Sequence, residues 1–345
     1  MKVLFVGDLH LGVKDDDKWM QDIQRDFFDQ AIEYSVKNGI SRWIQFGDVF
    51  DTRKAVTQEC MNFAKTQVLR LEENGITMDV IIGNHDLHRK DKITPNSVSE
   101  ILRGYDHINI YEKATTINID GINIDLIPWM CSENTNEILE FIKNTNSEFC
   151  IGHWELSGFW FYKGLKSHGY SPDFLSNYKQ VWSGHFHTIS QNGNVKYIGT
   201  PFTITAGDEN DPRGFWVFDS TTKDATLVEN INMWHRKLHY PDDKIEPKEL
   251  KGKAVRIFAS TSDAELVKIE SKLEEVVHTL RTIVDNSSFG DIQTEREDID
   301  EEVSQVSILT LGNKFIESKS DITEEEKKGI KVMFEKLYLE ARSVQ

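Results

Sequence analysis

The sequence predicts an α/β protein, a layered sheet in which strands and helices alternate from the first residues onward. Two observations carry this expectation. From Val3 to Ile82 short apolar runs alternate with longer stretches of helical periodicity, in the order βαβαβ. Each apolar run also stops near a glycine that is followed at once by a carboxylate, an amide or an imidazole. The clearest case is Gly83-Asn84-His85-Asp86, directly after the run Met78 to Ile82. Open α/β sheets place their ligand chemistry at the carboxyl ends of strands. Asn, His and Asp are also ordinary turn residues, so this tetrapeptide alone would not decide the matter.

Val3 to Val6 is the first strand, and Gly7-Asp8-Leu9-His10-Leu11-Gly12 follows it. One residue separates Asp8 from His10, so extended backbone projects both side chains to one face. An oxygen and a nitrogen aimed at one point form a metal-ligand pair; an N-capping Asp in a surface loop would leave the same trace. Trp19 to Asn38 reads as an amphipathic helix, with Ile23, Phe27, Ala31, Ile32 and Ser35 on one stripe and Asn38-Gly39 as its stop. Arg42 to Phe46 is the next strand, and Gly47-Asp48-Val49-Phe50-Asp51 follows. Thr57 to Asn74 is a second helix, closed by Gly75.

Further along, Asp120-Gly121 between Thr115 to Ile119 and Ile122 to Ile127 is a hairpin signal. Asn136 to Lys143 is a short helix. The strand Phe149 to Ile151 stops at Gly152-His153, and Val181-Trp182-Ser183 stops at Gly184-His185-Phe186-His187. Asn192-Gly193 marks another hairpin, and Gly214 to Asp219 and Ala225 to Glu229 close this part of the chain.

A length of 345 residues suggests two or three domains, and 39% hydrophobic with 28% charged residues is the balance of a globular chain. No apolar run approaches the roughly 20 residues of a membrane span. A strand at the very start leaves no room for a signal peptide. Cys60, Cys131 and Cys150 are odd in number and lack metal-site spacing, so a reducing cytoplasm is expected. The net charge of −17 argues against binding nucleic acid by charge alone. Divalent ions and a basic partner subunit could offset it.

Five strand ends thus carry Asp8 with His10, Asp48, Asn84 with His85, His153, and His185 with His187. A single histidine is usually a structural residue, but five such ends in one domain point to metal. The mix of carboxylate, amide and imidazole suits Mn²⁺, Fe²⁺ or Zn²⁺ and lacks the thiolates of a structural zinc site. Seven ligands exceed one ion; they fit two ions about 3.5–4 Å apart with a bridging carboxylate, an arrangement that hydrolyses phosphate esters.

The series D-x-H, G-D-x-x-D, G-N-H-D, G-H and G-H-x-H resembles the calcineurin-like metallophosphoesterase superfamily, and within it the SbcD-type recombination nucleases. The resemblance implies a layered β-sandwich flanked by helices, with a small α+β cap and a C-terminal helical hairpin. It implies that Asp8, His10 and His187 hold one Mn²⁺ and Asn84, His153 and His185 the other, with Asp48 bridging; Mg²⁺ or another divalent ion could substitute. His85 would act on the phosphate as catalytic acid, with Asp86 placed to orient it. Several relatives have a second histidine where this chain has Asp51, which leaves open which group assists strand choice. The activity implied is 3′-to-5′ exonuclease and single-strand endonuclease on DNA. A general phosphoesterase would share the metal site but give the tail no purpose, and a non-catalytic scaffold would have lost ligands.

The tail completes the expected organisation of residues 1–233 nuclease, 234–284 DNA cap, 285–304 acidic linker and 305–345 hairpin. His235 to Tyr240 and Ala254 to Ala259 read as strands and Asp263 to Arg281 as one helix, with Leu266, Ile269, Leu273, Val276, Val277 and Leu280 at helical spacing. An ordinary packed appendage is the alternative to a cap that steers DNA. Asp285 to Glu302 is acidic and poor in apolar residues. Beyond it Thr323 with Glu326 forms a capping box, and Ile330, Phe334, Leu337, Tyr338 and Ala341 share a helical face. The resemblance implies docking on the coiled-coil root of an SbcC-type ATPase; folding back on the cap is the alternative. No Gly-x-x-x-x-Gly-Lys-Ser/Thr loop occurs, so ATP hydrolysis belongs to another chain. A homodimer through the helices near Thr57 to Asn74 and Pro95 to Leu102 is also implied.

Overall fold

Alternate residues of the first strand serve two different cores, and the architecture follows from that. In the computed structural model β1 (Lys2–Val6) turns Val3 and Phe5 to one side and Leu4 and Val6 to the other. The structure describes residues 1–162, 165–167, 169–284, 316, 323, 327–331 and 333–334.

After a single turn, α1 (Val13–Asp16), come two helices whose buried stripes meet Leu4 and Val6, α2 (Lys18–Asn38) and α3 (Gln58–Glu73). All five residues of the expected α2 stripe, Ile23, Phe27, Ala31, Ile32 and Ser35, are buried. Gly39 ends that helix in the left-handed region at φ 66°, a conformation that costs glycine nothing. The first strand is joined by β2 (Arg42–Gln45), β3 (Thr77–Ile81) and β6 (Ile108–Tyr111) in parallel. On its other edge come β15 (Gly214–Asp219) and β16 (Asp224–Glu229), antiparallel, giving the order β16-β15-β1-β2-β3-β6. Between β3 and β6 the chain adds the small ribbon β4 (Leu87–Arg89) and β5 (Lys92–Asn96) and the short helix α4 (Ser97–Leu102).

Val3 and Phe5 face a second six-stranded sheet. It contains the expected hairpin β7 (Thr115–Ile119) and β8 (Ile122–Ile127), then β9 (Phe149–His153) and β12 (Gln180–Gly184). The hairpin β13 (Ser190–Asn192) and β14 (Val195–Tyr197) completes the order β13-β14-β12-β9-β8-β7. Ile124, Leu126, Phe149, Ile151 and Trp182 from this sheet pack on Phe5, Ile44, Phe46 and Ile81 from the first. Its outer face packs Cys150 and Val181 against Ile138 and Ile142 of α5 (Thr135–Asn144). Each such side chain contributes about 1.5–3 kcal/mol on burial. The result is helix, sheet, sheet, helix: a sandwich flanked by helices. Between β9 and β12 lies a two-stranded excursion, β10 (Trp160–Tyr162) and β11 (Leu165–Lys166).

Beyond residue 234, β17 (His235–Tyr240), β18 (Ala254–Ala259) and β19 (Thr279–Val284) form an all-parallel sheet covered by α6 (Ala264–Glu274). One expectation is corrected here. The helix does not run from Asp263 to Arg281; it ends at Glu274, and Thr279 to Val284 is a strand. Asp263 caps it as expected, accepting the amides of Glu265 and Leu266 at 3.0 and 2.8 Å. Past Glu275 the sequence turns β-branched, through Val276, Val277, Thr279, Thr282, Ile283 and Val284, which favours a strand. The open edge of β18 then supplies partners residue by residue, with Leu280 opposite Val255.

Contacts divide the chain into Met1–Asn286 and Ser287–Gln345. In the second unit Lys327 to Lys331 is helical and its first amide donates to the Thr323 carbonyl at 2.9 Å. The acidic segment, Glu326, and the apolar positions Leu337, Tyr338 and Ala341 lie outside the described residues. Among the described residues, no helix is long and apolar enough to cross a membrane.

Candidate binuclear metal centre

The two sheets bring their strand ends to one place. From the first come Asp8 and His10 after β1, Asp48 after β2, and Asn84 after β3. From the second come His153 at the end of β9, and His185 and His187 after β12. The close approach explains the glycines that precede these residues. A Cβ on Gly83 would lie 2.1 Å from Asp48 Oδ1, and one on Gly184 2.6 Å from Asp8 Oδ1. His10, Asp48 and His185 themselves sit at φ 42°, 53° and 84°. Left-handed backbone at non-glycine residues is costly and concentrates at functional sites.

The seven expected ligands gather in two groups, and Asp51 and His85 make a third with His10. Asp8, His10 and His187 form one, with His10 Nε2 3.1 Å from His187 Nε2. Asp48, His153 and His185 form the other. Asn84 Oδ1 joins the second group at 2.9 Å from both His153 Nε2 and His185 Nδ1. Asp48 Oδ2 lies 3.1 Å from His153 Nε2 and 4.0 Å from His10 Nε2, between the groups.

Whether this set fits cations can be read from its protons. His153 Nδ1 lies 2.7 Å from the Phe46 carbonyl, so that nitrogen donates. In the neutral ring Nε2 is then a lone pair, and it faces a carboxylate oxygen that only accepts. At His10, Nδ1 donates to Asp51 Oδ1 at 3.0 Å, which leaves its Nε2 as a lone pair facing His187 Nε2, satisfied by that ring's proton or by a cation. Buried lone pairs aimed at one another require a proton or a cation between them. The donor chemistry therefore fits two hard-to-borderline divalent ions.

Without ions the charges adjust by protonation. Burial works against a charged His153, yet the carboxylates of Asp48 and Asp8 push its pKa up to about 9. Burial pushes Asp8 up to about 6, with His153 pulling the other way. Burial also disfavours ionised Asp48, but the imidazoles of His153 and His85 hold it well below the ordinary carboxylate range.

His85 lies beside the first group, its ring 4.8 Å from that of His10. Its amide donates to Asp48 Oδ1 at 2.8 Å, and its ring Nδ1 bonds to the Asp51 carbonyl. The expectation that Asp86 orients His85 is corrected. The buried Asp86 carboxylate accepts the amides of Asp48 and Gly83, each at 2.9 Å, and of Phe50 at 3.1 Å. It ties the β2 and β3 loops together. Asp51 does the orienting, through its carbonyl for His85 and its carboxylate for His10.

Two further residues escape the sequence patterns. The Trp129 ring lies 5.1 Å from His185 and 5.8 Å from His153. It follows the end of β8, so the strand-end rule could have found it. Arg213 is 2% exposed and donates from Nη1 to the His187 carbonyl. A lone arginine beside a glycine gives no such warning in sequence.

Residues 1–251 match the calcineurin-like phosphoesterase family, well over half the chain. The chain belongs to the calcineurin-like phosphoesterases. It is thus a hydrolase of a metal-dependent family. This phosphoesterase is 52% identical over 344 residues to "Exonuclease subunit 1" of Enterobacteria phage T4, covering 99% of each chain. It is 27% identical over 254 residues to the "DNA double-strand break repair protein Mre11" of Sulfurisphaera tokodaii, covering 68% of this chain and 64% of that one. Among solved structures, an archaeal phosphodiesterase is similar at a TM-score of 0.35 with 15% identity, covering 66% of this chain and 99% of the other. That likeness is too loose to bear on the site.

Proposed function

We propose that this phosphoesterase is the nuclease subunit of a DNA-processing complex, a binuclear Mn²⁺-dependent enzyme with 3′-to-5′ exonuclease and single-strand endonuclease activity. The observation that carries it is the buried acceptor cluster of Asp48, Asn84 and His153, whose facing lone pairs suit a cation. The full-length similarity to a phage exonuclease subunit supplies the substrate class.

In this reading Asp8, His10 and His187 hold one ion, Asn84, His153 and His185 the other, and Asp48 bridges. Bound ions would neutralise phosphate charge and lower the pKa of an attacking water. His85 serves as general acid: with Nδ1 donating to the Asp51 carbonyl, Nε2 exchanges a proton with the leaving oxygen. Trp129 covers the imidazoles of His153 and His185 and limits water on that side.

The remaining parts follow from the same reading. Residues 1–233 are the nuclease domain, 234–284 a DNA cap, 285–304 an acidic linker and 305–345 a hairpin for an SbcC-type ATPase. The chain acts in the cytoplasm of the cell that holds its DNA, as a homodimer through α3 and α4. The test compares Mn²⁺-dependent nucleotide release from duplex and single-stranded DNA with hydrolysis of a small chromogenic diester. Cleavage of DNA that stops with a chelator is expected. Fast turnover of the diester with intact DNA would overturn the nuclease reading in favour of a general phosphoesterase.

A further inference from the structure

One turn grips both the cap and a proposed metal ligand. Thr205 to Asn210 lies between the second sheet and β15, and its backbone is closed by the Thr205 hydroxyl and the Asp208 carboxylate. Asp208 Oδ2 accepts the amides of Ile204 at 2.8 Å and Thr205 at 3.0 Å, which leaves Oδ1 for Arg213 Nη2 at 2.8 Å. Arg213 Nη1 donates to Thr200 Oγ1 at 2.7 Å and to the carbonyl of His187. A buried guanidinium thus spans from the turn to the backbone of His187.

The next two residues face the other way. Glu209, 6% exposed, receives the fork of Arg256 on β18, Nε to Oε1 at 2.7 Å and Nη2 to Oε2 at 2.6 Å. Asn210 brackets the backbone of Lys237 on β17, donating to its carbonyl at 2.8 Å and accepting its amide at 3.3 Å. Adjacent residues of one short turn are therefore fixed to two strands of the cap and, through one arginine, to the residue that carries an imidazole of the metal centre.

Stability alone is a poor reason for this arrangement. A buried Arg–Asp pair barely recovers its desolvation, and apolar residues of equal volume often do as well. What a guanidinium adds is a planar fork with several donors in fixed directions. Groups that hold a metal-ligating imidazole from behind typically cost about 10–100-fold in metal affinity when lost, and Arg213 holds the backbone that carries such a ring.

We propose that Thr205 to Asn210 is a relay that sets His187 from the position of the cap, with Arg213 as the positioning residue. This rests on His187 being a metal ligand. The experiment is a calorimetric Mn²⁺ titration of the full chain in wild-type and variant forms. Asp208→Asn with Arg213→Met removes both buried charges together and should weaken one of the two ions by about 10–100-fold while the other stays close to wild type. Arg213→Lys keeps the charge but loses the fork; it should weaken the same ion, and it serves should the double variant fail to fold. Glu209→Gln with Arg256→Met cuts only the cap side and should weaken that same ion by about 3–30-fold.

Equal weakening of both ions, or two ions at wild-type affinity in the Arg213 variants, would reduce Arg213 to a structural pair and overturn the proposal. An effect of the Arg213 variants with none from the cap-side pair would overturn the relay to the cap. A wild-type chain that binds fewer than two ions would instead overturn the binuclear reading on which the relay stands.

Discussion

Lone pairs decide the behaviour of single side chains here. Asp48 Oδ2 and Asn84 Oδ1 lie 3.1 and 2.9 Å from His153 Nε2, and only a proton or a cation can sit among them. Proton and metal therefore compete, and the direction follows from the shifts. His153 is raised above 6.5 to about 9, and Asp8 is raised above 3.8 to about 6. Groups raised on folding stabilise the protein below their unfolded pKa, and that contribution is lost as pH rises through the folded one. The metal-free chain should thus lose thermal stability in two steps, between about pH 4 and pH 6 as Asp8 ionises and between about pH 6.5 and pH 9 as His153 gives up its proton, while saturating Mn²⁺ should gain in stabilising effect over the same windows; melting scans with and without chelator check this. Asp48→Ala should lose both ions, because its carboxylate stands between the two groups, whereas His10→Ala should weaken mainly one. Metal counting on folded variants decides, and two ions retained without Asp48 would end the bridging assignment. His85→Ala should keep both ions and lose about 10²–10⁴ in turnover, as for a missing general acid. A metal-free His85 variant, or one that cuts normally, would remove that role. The seven donors were legible because each follows the end of an apolar run. Asp86 was misread because a sequence shows which residue is adjacent to His85 and not which carbonyl its ring meets. That carbonyl belongs to Asp51, and so do the backbone contacts of Arg213 to His187 escape any side-chain pattern.

Strand, glycine and ligand loop form one unit at the element scale. Apolar runs stopped by a glycine placed β1 and β12, and the Asp120-Gly121 turn placed β7 and β8. Helical period placed α2 and α3, whose stripes face only one core. It failed over Asp263 to Arg281, where the apolar residues Leu273, Val276, Val277 and Leu280 fit a helix by spacing alone. The choice there was made by a tertiary partner, the vacant edge of β18, which the local sequence does not contain. The glycine that opens each of the five ligand loops has a steric cause, and it can be tested. Gly83→Ala would put a methyl group 2.1 Å from Asp48 Oδ1 and 2.2 Å from Asp48 N, and backbone cannot swing aside as a long side chain can. The expected result is a loss of about 1–3 kcal/mol in unfolding free energy together with a sharp drop in Mn²⁺ affinity. By contrast Gly75→Ala meets nothing within 4 Å, so it should leave metal binding intact and cost only the strain of a left-handed φ of 66°. Denaturant titration and calorimetry on both variants separate crowding from backbone strain. Equal metal affinity in the Gly83 variant would show that the loop can retreat.

Over the whole molecule, a chain of net charge −17 is expected to act on a polyanion, and the tail is the part of the sequence that addresses this. A carboxy-terminal segment with apolar residues at helical spacing follows an acid-rich stretch that can bury little of its own. In the helical residues that the structure describes there, Ile330 is 43% and Met333 65% exposed, while Phe334 is half-buried. Burying such a side chain contributes about 1.5–3 kcal/mol, before the entropy of ordering is subtracted. A micromolar contact is worth about 8 kcal/mol. Two charges placed on the stripe should therefore be enough to abolish it. Phe334→Glu with Leu337→Glu is expected to leave the chain folded and the proposed Mn²⁺-dependent cleavage of single-stranded DNA unchanged, because neither residue belongs to the metal centre. The same variant should no longer co-purify with a coiled-coil ATPase and should lose any ATP-linked stimulation on duplex ends. Titration against the coiled-coil root of that partner measures the contact directly. Undiminished binding would place the partner elsewhere on the chain. A variant that unfolds alone would mean that the stripe packs within its own chain, and this acidic chain would then have to meet DNA through the proposed metal ions and the proposed cap.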